Sequence, residues 1–300
     1  MTDASLPLTR PSQVTTERRS LPADPSERYP HRGVLHDVWV IARRGLLHMR
    51  RQPEQLSDAT IQPIMFVVMF AYVFGGAIAI PGADTGSSQA YREFLMGGIM
   101  AQTLVFTAFG VALSIANDRK NQAVDRFRSL PIANGAVLGG HAVANVIKAL
   151  LPIALMSVTG YIIGWRIRGS LLETLGAYTL MIAFAFAMIW IGVLLGSLAS
   201  TPEGVNGIAF ALLFPLTFVA STFVPLSSMP EPLRTIAAWN PITTLSDALR
   251  DLFGNPNTPI VPGDPWSIAH PVAYTWIWII SIVVICAPLA VRVYRRSIDS

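Results

Sequence analysis

Nucleotide hydrolysis usually needs a phosphate loop, Gly-x-x-x-x-Gly-Lys-Ser/Thr. In that loop backbone N–H groups cradle the phosphates and the lysine reaches them. This chain has two lysines, Lys120 and Lys148, and neither follows a glycine. The histidines, His31, His36, His48, His141 and His270, are scattered and make no His-Glu-x-x-His pair. The single cysteine, Cys286, can form neither an internal disulfide nor a paired-cysteine metal site. Serines are plentiful, yet no Gly-x-Ser-x-Gly elbow presents one as a nucleophile. The expectation is a chain without catalytic residues, metal or cofactor of its own.

The placement of charge narrows the remaining chemistry. Glu93 and Glu173 stand at the edges of apolar stretches, and no Asp or Glu is central to one. Proton-coupled transporters usually carry an intramembrane carboxylate relay, so a proton antiporter is disfavoured. Sodium coupling through backbone carbonyls stays open. Lys148 lies inside an apolar stretch, about one helical turn from its end. It reads as a snorkelling cation, with a substrate or gate contact as the alternative. Gln102, Thr103, Thr107, Asn145, Ser157, Thr217, Ser221 and Thr222 are polar residues within apolar stretches. Gln102, Thr107, Thr217 and Ser221 are the candidates for lining a substrate pathway. Helix–helix hydrogen bonding is the competing reading for each.

The elements that hold these residues are membrane spans. Of 300 residues, 52% are hydrophobic and 13% charged, against about 25% charged in soluble domains. Six apolar stretches reach the ~20 residues that a crossing needs: about 59–80, 94–116, 143–164, 174–198, 206–226 and 272–291. Continuous runs of this length are helices, because barrel strands alternate. Pro63, Pro152, Pro215 and Pro288 permit kinks within them. Gly160-x-x-x-Gly164 and Gly192-x-x-x-Gly196 permit close helix approach.

Lys and Arg set the orientation. With the N-terminus inside, basic residues concentrate before the first stretch, at 119–128 and after the last. The opposite side keeps Arg92, Arg166, Arg168, Arg234 and Arg250. The excess predicts both termini in the cytoplasm. Basic residues at span ends are topology signals, not a groove-sized patch, so nucleic acid is not an expected partner. Residues 1–32 have no apolar h-region and read as a disordered cytoplasmic tail without a cleavable leader. Residues 297–300 form the cytoplasmic C-terminus.

Three further elements complete the expected fold. Residues 33–51 alternate Val34, Leu35, Val38, Trp39 and Leu46 with Arg43, Arg44, Arg50 and Arg51. This is the pattern of an amphipathic helix in the headgroup plane, its cations toward anionic lipid. A soluble helix packed on another protein is the alternative. Residues 117–132 predict a short amphipathic helix that Asn117 or Asp118 caps and Pro131 ends. Its apolar edge is Val124, Phe127 and Leu130, with Asp125, Arg126 and Arg128 elsewhere, a shape suited to a partner's groove. Residues 227–271 hold two short helical patterns, Glu231–Trp239 and Ile242–Phe253, which Asn240-Pro241 separates. Ile242, Leu245, Leu249 and Leu252 form a stripe in the second. Leu245, Leu249, Asn240 and Pro241 are the candidates for an external gate. The fold class is thus an all-α integral membrane protein. It has six transmembrane helices, an N-terminal interfacial helix, a cytoplasmic coupling helix and short extracellular re-entrant helices.

Residues 124–132, Val-Asp-Arg-Phe-Arg-Ser-Leu-Pro-Ile, resemble the coupling segment of type-2 ATP-binding-cassette (ABC) exporter permeases of the daunorubicin-resistance kind. Further likeness lies in Arg51-Gln52-Pro53-Glu54, Tyr72 to Ile78 and Pro202-Glu203. Phe223-Val224-Pro225, Met229-Pro230, Asn240-Pro241 and Asp247-Ala248-Leu249-Arg250 continue it. The resemblance covers about 33–296, a single exporter transmembrane domain. Asn121-Gln122 departs from it, since many relatives carry an acidic residue and glycine there.

The resemblance implies a permease subunit in a bacterial inner membrane. It implies pairing with a second permease, as homo- or heterodimer, and docking of two separate ATPase subunits that bind ATP and Mg. Asp118, Val124, Asp125, Arg126, Phe127, Arg128, Leu130 and Pro131 would take the ATPase stroke. The cargo would be a small amphipathic drug, a lipid or a lipid-linked glycan. The competing class is a secondary transporter or a membrane scaffold that uses no ATP.

Overall fold

The computed structural model describes residues 53–75, 78, 80, 87–120, 134–199, 201–261 and 263–299. The expected interfacial helix at 33–51, the N-terminal tail and the run 121–131 lie outside the described residues. The described secondary structure is all helical. In chain order the helices are α1 (Pro53–Val73), α2 (Ser87–Lys120), α3 (Asn134–Ile163), α4 (Leu171–Leu198) and α5 (Pro202–Phe218). A single 3₁₀ turn follows at Leu226–Ser228. Then come α6 (Glu231–Ala238), α7 (Pro241–Phe253), α8 (Trp266–Ala269) and α9 (Pro271–Asp299).

Among the described residues, α2, α3, α4 and α9 are long and apolar enough to cross a membrane. The apolar parts of α1 (Pro63–Val73) and all of α5 are shorter. Each expected apolar stretch thus has a helix, with shifted ends. The fifth stops well short of its expected end at 226. It leaves helical geometry at Phe218, because side chains of α7 take over the hydrogen bonds that another helical turn would make. At the other end, α2 runs on through Asn117 and Asp118 to Lys120. Neither residue therefore opens a separate helix, since nothing in Asn-Asp-Arg-Lys breaks the one already running.

Helix α2 is the hub. It packs against α4 most extensively, then against α7, α5, α1 and α3. Helices α2 and α4 are the inner pair, with most of their apolar lengths buried, whereas α9 leaves most of its own exposed. Glycine explains the closeness. A Cβ on Gly192 would overlap the Ala108 carbonyl, and one on Gly196 would stand 2.6 Å from the Ala112 oxygen. The spacing Gly192-x-x-x-Gly196 thus puts α4 directly on the α2 backbone. Gly160 instead faces the Met96 and Trp165 side chains, and Gly164 ends the α3 segment with φ 105°.

The helix ends are chemically specified. Ser170 and Glu173 make a capping box at α4: Glu173 N–H donates to Ser170 Oγ at 3.3 Å, and Ser170 N–H to Glu173 Oε2 at 2.7 Å. Thr201 caps α5, with Pro202 at the first helical position. At the same end of the bundle Lys120 Nζ lies 3.6 Å from Glu203 Oε1, joining the end of α2 to the start of α5. Both side chains are largely exposed, so the pair contributes little on its own.

Candidate functional site

Among the described residues, the densest polar construction surrounds α7, at the Ser87 end of α2. Asn240 begins it. Its Oδ1 accepts the Ile242 N–H at 2.8 Å, and Pro241 occupies the first position, where a missing N–H costs nothing. The Asn240 Nδ2 donates to the carbonyls of Leu216 at 2.7 Å and Val219 at 2.6 Å. One side chain thus starts α7 and closes α5. Thr243 Oγ1 accepts the Ser221 N–H at 3.0 Å. These bonds give the broken segment after Phe218 the partners that a continuing helix would have supplied.

The far end of α7 is equally tied. Gly254 adopts φ 66° and ψ 30°, the left-handed C-cap suited to glycine. Asn255 N–H returns to the Arg250 carbonyl at 2.8 Å. The Phe253 carbonyl accepts Arg168 N–H at 2.8 Å and Gly169 N–H at 3.0 Å. A Cβ on Gly254 would stand 2.8 Å from the Gly169 nitrogen, so glycine also permits this close approach. Trp165 Nε1 donates to Asn255 Oδ1 at 2.6 Å, and Asn255 Nδ2 to the Arg166 carbonyl at 2.8 Å.

The expected gate residues Leu245 and Leu249 are fully buried, together with Ile242 and Phe253. The stripe is only part of the account, because Thr243, Thr244, Ser246, Asp247 and Arg250 are buried too. A buried guanidinium needs partners, and Arg250 has them. Its Nη1 donates to Asp247 Oδ1 at 2.6 Å and to Ser221 Oγ at 3.1 Å. Its Nη2 donates to the Ser221 carbonyl at 2.6 Å, and its Nε to the Phe94 carbonyl at 2.9 Å. Ser221 Oγ donates to Asp247 Oδ1 at 3.1 Å. The guanidinium carbon lies 3.5 Å from the Phe94 ring centroid, a desolvated cation–π contact. Burial pushes the Asp247 carboxyl up, with Arg250 and the Ser221 hydroxyl pulling it back. Burial likewise raises Asp251, which Asn257 and Arg250 oppose.

Two adjacent glycines make room for this centre. A Cβ on Gly97 would lie 2.9 Å from Arg250 Cγ and 3.1 Å from the Ser246 carbonyl. One on Gly98 would overlap the Thr222 carbonyl. Helix α2 therefore carries a notch that receives α7 on one side and the break after α5 on the other.

A second cluster lies nearer the start of α2. Glu93, 1% exposed, accepts at Oε1 from Arg168 Nη2 at 2.8 Å and from Gln89 Nε2 at 3.0 Å. Gln89 also donates to the Gly164 carbonyl at 2.8 Å, and Arg92 Nη1 to the Ile163 carbonyl at 3.0 Å. The start of α2, the α3–α4 connection and the end of α7 are thereby one bonded unit.

The structure brings Ser221, Asn240, Pro241, Leu245 and Leu249 together at α7. Gln102 and Thr107 lie farther along α2. Gln102 is buried with no partner at its Oε1, and Thr107 Oγ1 donates to the Leu104 carbonyl at 2.6 Å. Thr217 donates to the Leu213 and Phe214 carbonyls of its own helix. Lys148 is half-buried on α3. The Arg250–Asp247 centre was not among the expected site residues, where Arg250 counted as an outside-loop charge. Its signal was available: opposite charges at i and i+3, one face of a helix. Glu93 and Arg168 are 75 residues apart in sequence, and no spacing rule joins them. Among the described residues no group of three His, Cys, Asp or Glu could hold a metal ion.

Comparison with known proteins agrees with this architecture. The family model described as ABC-2 type transporter matches residues 36–253, which includes α1 to α7. The chain is similar to a daunorubicin resistance ABC transporter permease protein of Streptomyces coeruleorubidus. The two are 30% identical over 254 residues, covering 85% of this chain and 84% of the relative. It is also similar to a doxorubicin resistance ABC transporter permease protein of Mycobacterium tuberculosis. There the identity is 25% over 265 residues, covering 86% and 89%. With a family match over most of its length and a 30% identical relative aligned nearly end to end, this chain belongs to the ABC-2 type transporter membrane family.

Proposed function

We propose that the chain is the permease subunit of an ATP-driven exporter. It would carry an amphipathic molecule out of the cytoplasm or the inner leaflet of a bacterial cell membrane. The observation that carries this reading is the near-full-length similarity to permeases named for daunorubicin and doxorubicin resistance. A drug of that planar amphipathic class is accordingly the first cargo to test. The chain has six spans with both termini inside, and it pairs with a second permease. Hydrolysis belongs to separate ATPase subunits, which bind ATP and Mg, since this sequence has no phosphate loop.

The geometry supplies a route for the stroke. The proposed coupling run, 118–131, begins where α2 ends at Lys120. A push there meets a single helix that packs on five others and whose far end is bonded to α7. Displacement of α2, one unbroken helix from Ser87 to Lys120, would therefore reach α7, the proposed external gate. Phe127 would bury its ring in the ATPase, worth about 1.5–3 kcal/mol. Asp125, Arg126 and Arg128 would set the register.

The test is copurification from native membranes, followed by reconstitution with the captured ATPase. We expect ATP-dependent efflux from the assembled complex and no hydrolysis by the purified chain alone. Phe127→Ala should weaken ATPase capture and efflux at unchanged membrane insertion, and Asp125→Arg should do the same by repulsion from Arg126 and Arg128. Hydrolysis by the chain alone, or wild-type capture and efflux in both variants, would overturn the assignment.

A further inference from the structure

Helix α6 has three faces, and only two are accounted for. Ala237 and Ala238 are buried against the protein, in a cluster with Leu226 and Ile268. Glu231 and Thr235 are exposed and polar. Between these arcs lies a third, formed by Pro232, Leu233, Ile236 and Trp239. Leu233 is 44% exposed, Ile236 62% and Trp239 45%. At 100° per residue these side chains share one side of the helix, from Trp239 beside the polar arc to Leu233 beside the buried one.

Two observations say what covers this arc. First, it continues onto α9. Trp239 meets Tyr274 edge-on at 5.5 Å between ring centroids. Tyr274 in turn meets Trp266 at 5.9 Å and Trp278 at 6.3 Å. Beyond them α9 exposes Trp276, Ile277, Ile280 and Val284 along an apolar helix long enough to cross. One side of α9 packs on α4 and α7, and the opposite side is an exposed apolar surface along the helix. Second, the junction is rich in Trp and Tyr, rings that favour the boundary between hydrocarbon and water. The helix is also fixed in place, since Arg234 Nη2 bonds Asp264 Oδ1 at 2.8 Å.

We infer that α6 is an interfacial helix. Its Leu233–Ile236–Trp239 arc is immersed in the lipid headgroup layer at the Ser87 end of the bundle, and Glu231 and Thr235 face water. The occupant of the arc is bilayer lipid, reached without a break from the lipid face of α9. An interfacial helix sinks its apolar side about 5–10 Å into this layer. The sidedness, an outer leaflet, rests on the topology proposed above. The immersion does not, because a headgroup layer exists on both sides.

The test uses the full chain with Cys286→Ser, spin-labelled at one new cysteine and reconstituted into phosphatidylcholine–phosphatidylglycerol vesicles. Ile236→Cys and Thr235→Cys are neighbours in sequence on different arcs. The label at 236 should be accessible to oxygen and lose accessibility to a water-soluble nickel chelate, while the label at 235 stays open to the chelate. Leu233→Cys, on the same arc, repeats the measurement should the first variant fail to assemble. Equal chelate accessibility at 235 and 236 would put α6 in water and overturn the inference. Shielding of 236 from both reagents would also overturn it, since protein, such as a second copy of the chain, would then cover the arc.

Discussion

Helices α6 and α7 come from the same loop, are separated by Trp239 and Asn240 alone, and are both short and amphipathic, yet they have opposite fates. Helix α7 is buried around most of its circumference, Asp247 and Arg250 included, whereas α6 leaves Leu233, Ile236 and Trp239 exposed. The caps show the same contrast. Asn240 gives α7 a side-chain cap and Gly254 a left-handed stop, while α6 follows Pro230 without any side-chain cap hydrogen bond. Amphipathicity therefore did not decide depth. Burial went to the helix whose polar side chains all found partners, because a polar group without one is costly away from water.

The sharpest way to break this contrast is to orphan a charge in α7. Asp247→Ala leaves Arg250 buried opposite no carboxylate and should cost about 3–5 kcal/mol. Thermal unfolding of the detergent-solubilised protein would measure it. A second substitution, Arg250→Met on that background, should restore part of the loss. Strict additivity of the two would show that the pair is not coupled.

The glycine notch gives the next effect. Gly98→Ala places a methyl group against the Thr222 carbonyl, where backbone must shift. Overpacking of this kind should cost about 1–3 kcal/mol. Gly110→Ala, whose Cβ would meet nothing within 4 Å, should be neutral or slightly stabilising in the same assay. Equal behaviour of the two would remove the notch from the account.

Asn240→Ala removes the α7 cap and the bonds to Leu216 and Val219. The cap alone is worth about 0.5–2 kcal/mol. Proteolysis or hydrogen exchange should show loosening at 216–222 and at the start of α7 together, because one side chain holds both. The smallest effect is expected on α6. Ile236→Ser should change detergent stability by less than about 0.5 kcal/mol. A large loss there would mean that protein packs over the arc.

The parts visible beforehand were those encoded by neighbours in sequence. The apolar runs located six helices, Asn240-Pro241 separated α6 from α7, and the Ile242, Leu245 and Leu249 stripe identified a face that is buried. Gly192 and Gly196 marked a contact that α2 fills. Helix ends were less legible. Whether 219–226 continues α5 depended on Asn240 and Thr243, more than twenty residues away, offering better partners for its backbone.

By itself, then, the sequence determined a helical membrane protein of this transporter family, the short helices between its fifth and sixth apolar stretches and a chain without a phosphate loop. Local periodicity, caps and breakers suffice for that. Only the tertiary structure decided that Arg250 is a buried anchor instead of a topology charge, that Ser221 bonds it, and that Glu93 holds Arg168. These are contacts between distant segments. A charge reads the same in a sequence whether it meets water or a carboxylate, and the difference is made by packing α7 into the Gly97–Gly98 notch of α2.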